Sequence, residues 1–315
     1  VNGYKKVAAV GLFVGVATVL SDPAAHADDP LAGSDTAIIL GGTTEPTPST
    51  AFAQAAENLF LNPLGFDGGA TSSTVCDMIG TDPCAAPLQV LTTPELIQQG
   101  PSSLTAADDV VLAVENEFSA NPGAFSAEDP LTIFGYSQSA TAESIAMSRL
   151  EADGIPSADL HFVFIGDPSL PGGIWPNLEP DMDALLGPST TNTLLTDFGF
   201  DGVLGNLTPD DLYPTTIYSL DTDPVPNFQD VFEAKGLLGA LLDVFGPHVE
   251  YLGLTPAEIA NATTTTNDLL TYVDIPDNFN NADAWLSAVF EHGAAGSGLL
   301  ESVFQSLELY LTNSF

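Results

Sequence analysis

Apolar residues in this chain come in two rhythms. Short, largely apolar runs at residues 36–40, 131–134, 161–167, 215–220 and 269–275 are of strand length and end in turn residues. That is the pattern of strands buried on both faces. Between them the apolar positions spread to helical spacing. One helix is predicted from Ser49 or Thr50 to about residue 61, where either residue can serve as the N-cap. A second is predicted over 105–118, opened by the capping-box-like Thr105-Ala-Ala-Asp108 and presenting Val111, Val114 and Phe118 on one face. Others are predicted over 140–150, 228–245, 282–291 and 299–311, the second of these stopped by Gly246-Pro247. Strands alternating with helices predict an α/β fold with a mostly parallel sheet covered by helices. Residues 62–100 read as loop-rich. Residues 168–214 lose periodicity and fill with Pro, Gly, Asn and Asp. A connection that long is expected to be a functional excursion, such as a lid.

The first segment reads as a targeting signal rather than as fold. Lys5-Lys6 precede an apolar run over 7–20, and Ala25-His26-Ala27 fits a small-x-small cleavage site. The run is short for a membrane span, which needs about 20 residues. The expected mature chain is therefore a single domain from Asp28 to Phe315, with a helical extension over 278–315, secreted or held in the cell envelope. In that extension Leu300, Val303, Phe304, Leu307 and Leu311 fall on one helical stripe.

Charge narrows the partners. The full chain has 4 Lys+Arg and 42 Asp+Glu, a net of −38. Removing 1–27 takes away Lys5, Lys6 and Asp22, leaving 4 − 2 = 2 basic and 42 − 1 = 41 acidic residues, a net of −39. Such a surface repels nucleic acid and does not bind anionic membranes stably. It favours a neutral substrate over an anionic one. Cys76 and Cys84, eight positions apart, are expected to form a disulfide in an exported chain. The histidines and cysteines show no metal-ligand spacing, and no phosphate-cradling glycine loop with lysine occurs. Neither metal nor cofactor is expected, and the sequence gives no signal for oligomeric state.

Chemistry concentrates at Gly135-Tyr-Ser-Gln-Ser139, where a buried strand meets a helix. Strand, tight turn with a serine, then helix is the context of a nucleophile elbow, which exposes the serine above the sheet. The last position of the Gly-x-Ser-x-Gly pattern is here Ser139, the mildest departure from glycine. A serine nucleophile needs a base and a group to orient it, and on this scaffold the order is Ser, acid, His. His161 precedes any plausible acid, and His292 reads as a helix-end histidine meeting the dipole. His248, after the Gly246-Pro247 stop, is the best base. Asp221 and Asp223 both follow the strand over 215–220, with Asp223 preferred because Pro224-Val225-Pro226 would fix its carboxylate. After the first strand, Gly41-Gly42-Thr43 supplies a turn where backbone donors could face an oxyanion.

Taken together, Ile38-Ile-Leu-Gly-Gly-Thr-Thr-Glu-Pro-Thr-Pro48, Gly135-Tyr-Ser-Gln-Ser139, Gly166-Asp-Pro-Ser-Leu-Pro-Gly-Gly173, Asp223-Pro-Val-Pro-Asn-Phe228 and Gly246-Pro-His248 resemble the PE-PPE domain family of actinobacterial exported proteins. That family is itself similar to cutinases within the α/β-hydrolases. The resemblance runs from about residue 37 to 276. It implies a cofactor-free serine esterase or lipase acting on acyl esters, with Ser137, Asp223 and His248 as the triad and Thr43 and Gln138 at the oxyanion hole. The same triad would serve an acyltransferase, and a catalytically silent envelope binding protein could keep the fold. The chain departs from the family in three places. An export signal stands where members carry a PE or PPE helical module. Asn227 occupies a position where the family often has a second Asp. Residues after Asp277 match no known pattern.

Overall fold

A computed structural model describes residues 29–68, 73–277 and 281–293. The expected export signal and the helix over 299–311 lie outside the described residues. Among the described residues eight strands form one sheet, in the order β2-β3-β1-β4-β5-β6-β8-β7. They are β1 (Ala37–Ile39), β2 (Val75–Asp77), β3 (Leu88–Val90), β4 (Leu131–Tyr136), β5 (Leu160–Ile165), β6 (Thr215–Leu220), β7 (Thr263–Asn267) and β8 (Leu270–Ile275). Every pairing is parallel except β7 with β8. β4, β5 and β6 are buried at every position, as unbroken apolar runs require when both faces are covered.

The helices are α1 (Thr50–Ala56), α2 (Gln99–Ala120), α3 (Gln138–Ala152), α4 (Ile174–Leu186), α5 (Pro188–Asp197), α6 (Phe228–Asp243), α7 (Pro247–Glu250), α8 (Pro256–Ile259) and α9 (Ala282–Phe290). One face of the sheet is covered by α1, α8 and α9, whose Phe52, Ile259 and Ala284 join Phe134, Tyr218 and Val273 in one core. The other face is covered by α2 and α3, with Val110, Val114 and Met147 packed among Ile133, Phe162 and Ile217. A third, smaller core joins α4, α5 and α6 through Trp175, Leu178, Leu195 and Phe228. Among the described residues no helix is long and apolar enough to cross a membrane.

Strand order places the site. From β1 the chain first builds β2 and β3 on one side, then crosses to β4 and continues the other way. The switch falls between β1 and β4, and in open α/β sheets the crevice at the carboxyl ends of such strands is where ligands bind. The loop after β1 carries Thr43, and the turn after β4 carries Ser137.

Three sequence expectations need correction, and one strand gives no sequence signal. The helix expected from Thr105 begins at Gln99; Thr105 is interior, and its hydroxyl donates to the Pro101 carbonyl (2.9 Å). Polar residues that bond back to the preceding turn read locally like caps. The loop-rich stretch 62–100 contains β2 and β3, each too short to show a period. The aperiodic excursion 168–214 contains α4 and α5, which pack on a local core instead of the sheet. The exposed threonine strand β7 carries no apolar signal at all; pairing with β8 alone makes it a strand.

Candidate active site

The elbow is strained as its geometry demands. Ser137 sits at φ 57°, ψ −108°, and its N–H donates to the Ile165 carbonyl (3.1 Å). Among the described residues four non-glycines have positive φ: Thr44, Glu95, Ser137 and Asp268. Such strain persists where surrounding structure over-determines the backbone. Gly135 lets helix and strand approach, since a Cβ there would lie 2.5 Å from Glu143 Oε1 and 2.9 Å from the Ala140 nitrogen. Ser139, standing at the second glycine position, does more than fit. Its hydroxyl accepts the Tyr136 N–H (2.8 Å) and donates to the Tyr136 carbonyl (3.2 Å), tying the strand end to the helix start.

The structure brings Ser137, His248 and Asp223 into one line. His248, expected on a loop after the Gly246-Pro247 stop, is instead the second residue of the short helix α7. Its Nε2 is 2.7 Å from Ser137 Oγ, and its Nδ1 is 2.8 Å from Asp223 Oδ2. Asp223 is fully buried and also accepts the Tyr251 hydroxyl at Oδ2 (2.8 Å) and the Val225 N–H at Oδ1 (2.9 Å). Three donors converging on one carboxylate put the proton on Nδ1 and leave Nε2 as acceptor for the serine hydroxyl. Tyr251 is itself fixed by the Leu220 N–H (3.0 Å), and the Tyr136 hydroxyl holds the His248 carbonyl. Asp221 points elsewhere: it is exposed and accepts the Asp277 N–H (2.9 Å). His161 is buried on β5 against Thr216 Oγ1 (3.0 Å), and burial lowers its pKa to about 4. His292 follows α9, away from this line.

Gln138 directly follows Ser137, and Thr43 lies in the loop after β1. As the first residue of α3, Gln138 has a backbone N–H with no intrahelical acceptor. The neighbours of Thr43 are pinned: Thr44 N–H donates to the Glu95 carbonyl (2.8 Å) and Glu45 N–H to the Gly42 carbonyl (2.9 Å). Gln99, which the sequence did not single out, joins the two. Its Nε2 donates to Thr43 Oγ1 (3.0 Å) and to Gln138 Oε1 (3.4 Å).

Behind the elbow three acids are buried. Burial raises Glu95 to about 8 and Asp167 to about 6. Glu143 is raised well above the usual carboxyl range by burial, then by Glu95 and Asp167. Glu95 and Glu143, which burial holds toward their neutral forms, do not oppose negative charge developing at the neighbouring helix N-terminus. Cys76, on β2, is disulfide-bonded to Cys84, with a Cα–Cα distance of 6.3 Å. A groove of about 930 Å³ lined by Leu59, Pro63, Tyr218, Ile259 and Val273 lies over the β6–β8 face, and none of these site residues borders it.

Comparison with known proteins bears on the whole arrangement. The PE-PPE domain model matches residues 83–271. An uncharacterized PPE family protein, PPE28 of Mycobacterium tuberculosis, is 28% identical over 237 residues, 73% of this chain and 31% of that one. Esterase PE16 of the same organism is 29% identical over 279 residues, 82% of this chain and 46% of that one. The chain thus spans less than half the length of these curated relatives. Among solved structures, a cutinase-like protein from Cryptococcus sp. covers 70% of this chain at 17% identity, with 96% of its own length and a TM-score of 0.36.

Proposed function

The chain belongs to the PE-PPE domain family, and from that premise we propose that it is an exported serine esterase that hydrolyses acyl esters through an acyl-enzyme. The observation that carries the reading is the unbroken hydrogen-bonded line from Ser137 Oγ through His248 to buried Asp223, at 2.7 and 2.8 Å. The esterase named among the relatives supports the same class.

In this mechanism His248 Nε2 takes the proton of Ser137 as Oγ attacks the ester carbonyl. Asp223 holds the imidazole in the Nδ1–H tautomer and stabilises its charged form. The N–H groups of Gln138 and Thr43 receive the oxyanion, each such donor being worth roughly 3 kcal/mol of barrier. His248 then protonates the leaving alcohol. Water, activated by the same base, releases the acid. The residues do this with no metal or cofactor in any step. The acidic surface favours a neutral acyl ester or lipid over an anionic one, and residues 1–27 would direct the chain out of the cell.

The test is hydrolysis of p-nitrophenyl esters of graded chain length, with fluorophosphonate labelling, in wild type and Ser137→Ala. Hydrolysis and labelling that both vanish in the variant are expected. A wild-type chain that neither labels nor turns over would mean a silent fold. Acyl transfer to added alcohols outrunning hydrolysis would make it a transferase.

A further inference from the structure

We propose that the excursion between β5 and β6 sets the geometry of the oxyanion hole through the first turn of α2, with Gln99 as the positioning residue. The proposal rests on the esterase reading above. Gln99 is the bridge between the two halves of the hole, since its amide donates to Thr43 Oγ1 (3.0 Å) and Gln138 Oε1 (3.4 Å). Those residues come from separate elements, the loop after β1 and the first turn of α3. With Gln138 Oε1 engaged, its fully buried Nε2 has no partner among the described residues. That amide's orientation is therefore set from the Gln99 side.

The Gln99 amide also reaches the Leu96 carbonyl just before α2 (3.4 Å), but the first turn that carries Gln99 is held from outside the helix. The first N–H groups of a helix have no acceptor within it, and the N-cap Gln98 makes no side-chain cap. The excursion supplies the acceptor instead: Gly100 N–H donates to the Gly199 carbonyl (2.8 Å). The two backbones meet without side chains between them. A Cβ on Gly100 would lie 1.8 Å from the Asp201 carbonyl oxygen, and one on Gly199, at φ 73°, would lie 2.9 Å from Gln98 Cβ. Away from this seam the excursion is anchored to the nucleophile helix and the loop after β5. Trp175 Nε1 donates to Thr141 Oγ1 (2.9 Å), and Thr208 Oγ1 donates to Asp167 Oδ2 (2.6 Å). A rigid path thus runs from α3 through the excursion to Gly100, Gln99 and back to the oxyanion donors.

The seam contributes no atom to the reaction, so its effect must appear through Gln99. Gln99→Met keeps length and removes the donor. Gly100→Ala leaves every oxyanion residue intact and pushes the seam apart. With p-nitrophenyl butyrate, each should lower kcat by about 10–10²-fold, the scale for roughly ångström misplacement of a catalytic group. KM should stay within about threefold, since the donors act in the transition state. Fluorophosphonate labelling of Ser137 should slow in parallel. The Gln99→Met/Gly100→Ala pair should lose no more than either alone, because both act on one element. Gly199→Ala repeats the test from the excursion side if Gly100→Ala does not fold. Wild-type kcat in Gln99→Met, wild-type kcat in folded seam variants, or additive losses in the pair would each overturn the proposal. If the wild-type chain neither turns over nor labels while Ser137→Ala is equally silent, the esterase reading has failed, and this proposal with it.

Discussion

Gly166→Ala probes how closely the base is walled in. Gly166 directly follows β5 at φ 59°, and a Cβ there would lie 2.9 Å from His248 Cε1 and 3.1 Å from both His248 Nδ1 and Tyr251 Cε2. Carbon contacts settle at about 3.5–4.0 Å, so the methyl intrudes by roughly 0.5–1 Å. The imidazole is held between Ser137 at 2.7 Å and Asp223 at 2.8 Å. A shift of that size takes at least one bond past the limit of about 3.2 Å. We expect kcat to fall about 10²-fold with KM little changed. Stability should fall by about 1–2 kcal/mol for an L-residue in the left-handed region, plus about 1–3 kcal/mol for overpacking. Gly154→Ala is the control. Its φ is 83° and a Cβ there meets nothing within 4 Å, so only the backbone cost applies. The assay pairs p-nitrophenyl butyrate kinetics with thermal melts of both variants. Full activity in a Gly166→Ala enzyme with a lowered Tm would refute the claim that this wall positions the base. So would an equal activity loss in Gly154→Ala.

Three further outcomes follow from the same coordinates. Asp223→Asn should lose on the order of 10⁴ in kcat, while Asp221→Asn, whose exposed carboxylate accepts the Asp277 N–H, should stay near wild type; kinetics that reverse this ranking would reassign the acid. Cys76→Ser/Cys84→Ser should cost roughly 2–3 kcal/mol in the chain-entropy model for so short a loop, read by denaturant titration, and two alkylatable thiols in freshly purified wild type would contradict the bridge. Stability should fall as pH rises. Glu95 is raised to about 8 and Asp167 to about 6 in the folded state, so their contribution is fully present below their unfolded values of about 4 and is lost as pH climbs through 6 to 8. His161, lowered to about 4, works in the opposite sense below about pH 6.5, where the unfolded imidazole gains a proton. The carboxyls alone act between pH 6.5 and 8, so a Tm that rises across that window would show they are not buried as described.

The sequence alone determined the frame and the order of the candidate triad residues along it. Runs such as Leu131–Phe134 and His161–Ile165 are largely apolar and do not alternate because strands covered on both faces have no solvent side, and that rule is local enough to read. Ser137 was legible because a strand, a tight turn and a helix are adjacent in the chain. Ser139, although not glycine, kept the turn through bonds to Tyr136 only three residues away. The sequence prefers Asp223 over Asp221 only through its Pro-Val-Pro turn, whereas folding buries Asp223 beneath Tyr251 and leaves Asp221 against Asp277. What only the tertiary structure decided was every pairing across distant segments. Gln99 meets Thr43 across 56 positions and Gln138 across 39. Tyr251 reaches Asp223 across 28. No periodicity marks such residues, because their roles come from where the sheet order sets their elements down. The same holds for β7, a run of exposed threonines that becomes a strand only because β8 offers its edge. Hydrogen bonding between segments, unlike burial of a face, leaves no repeating trace along a single chain.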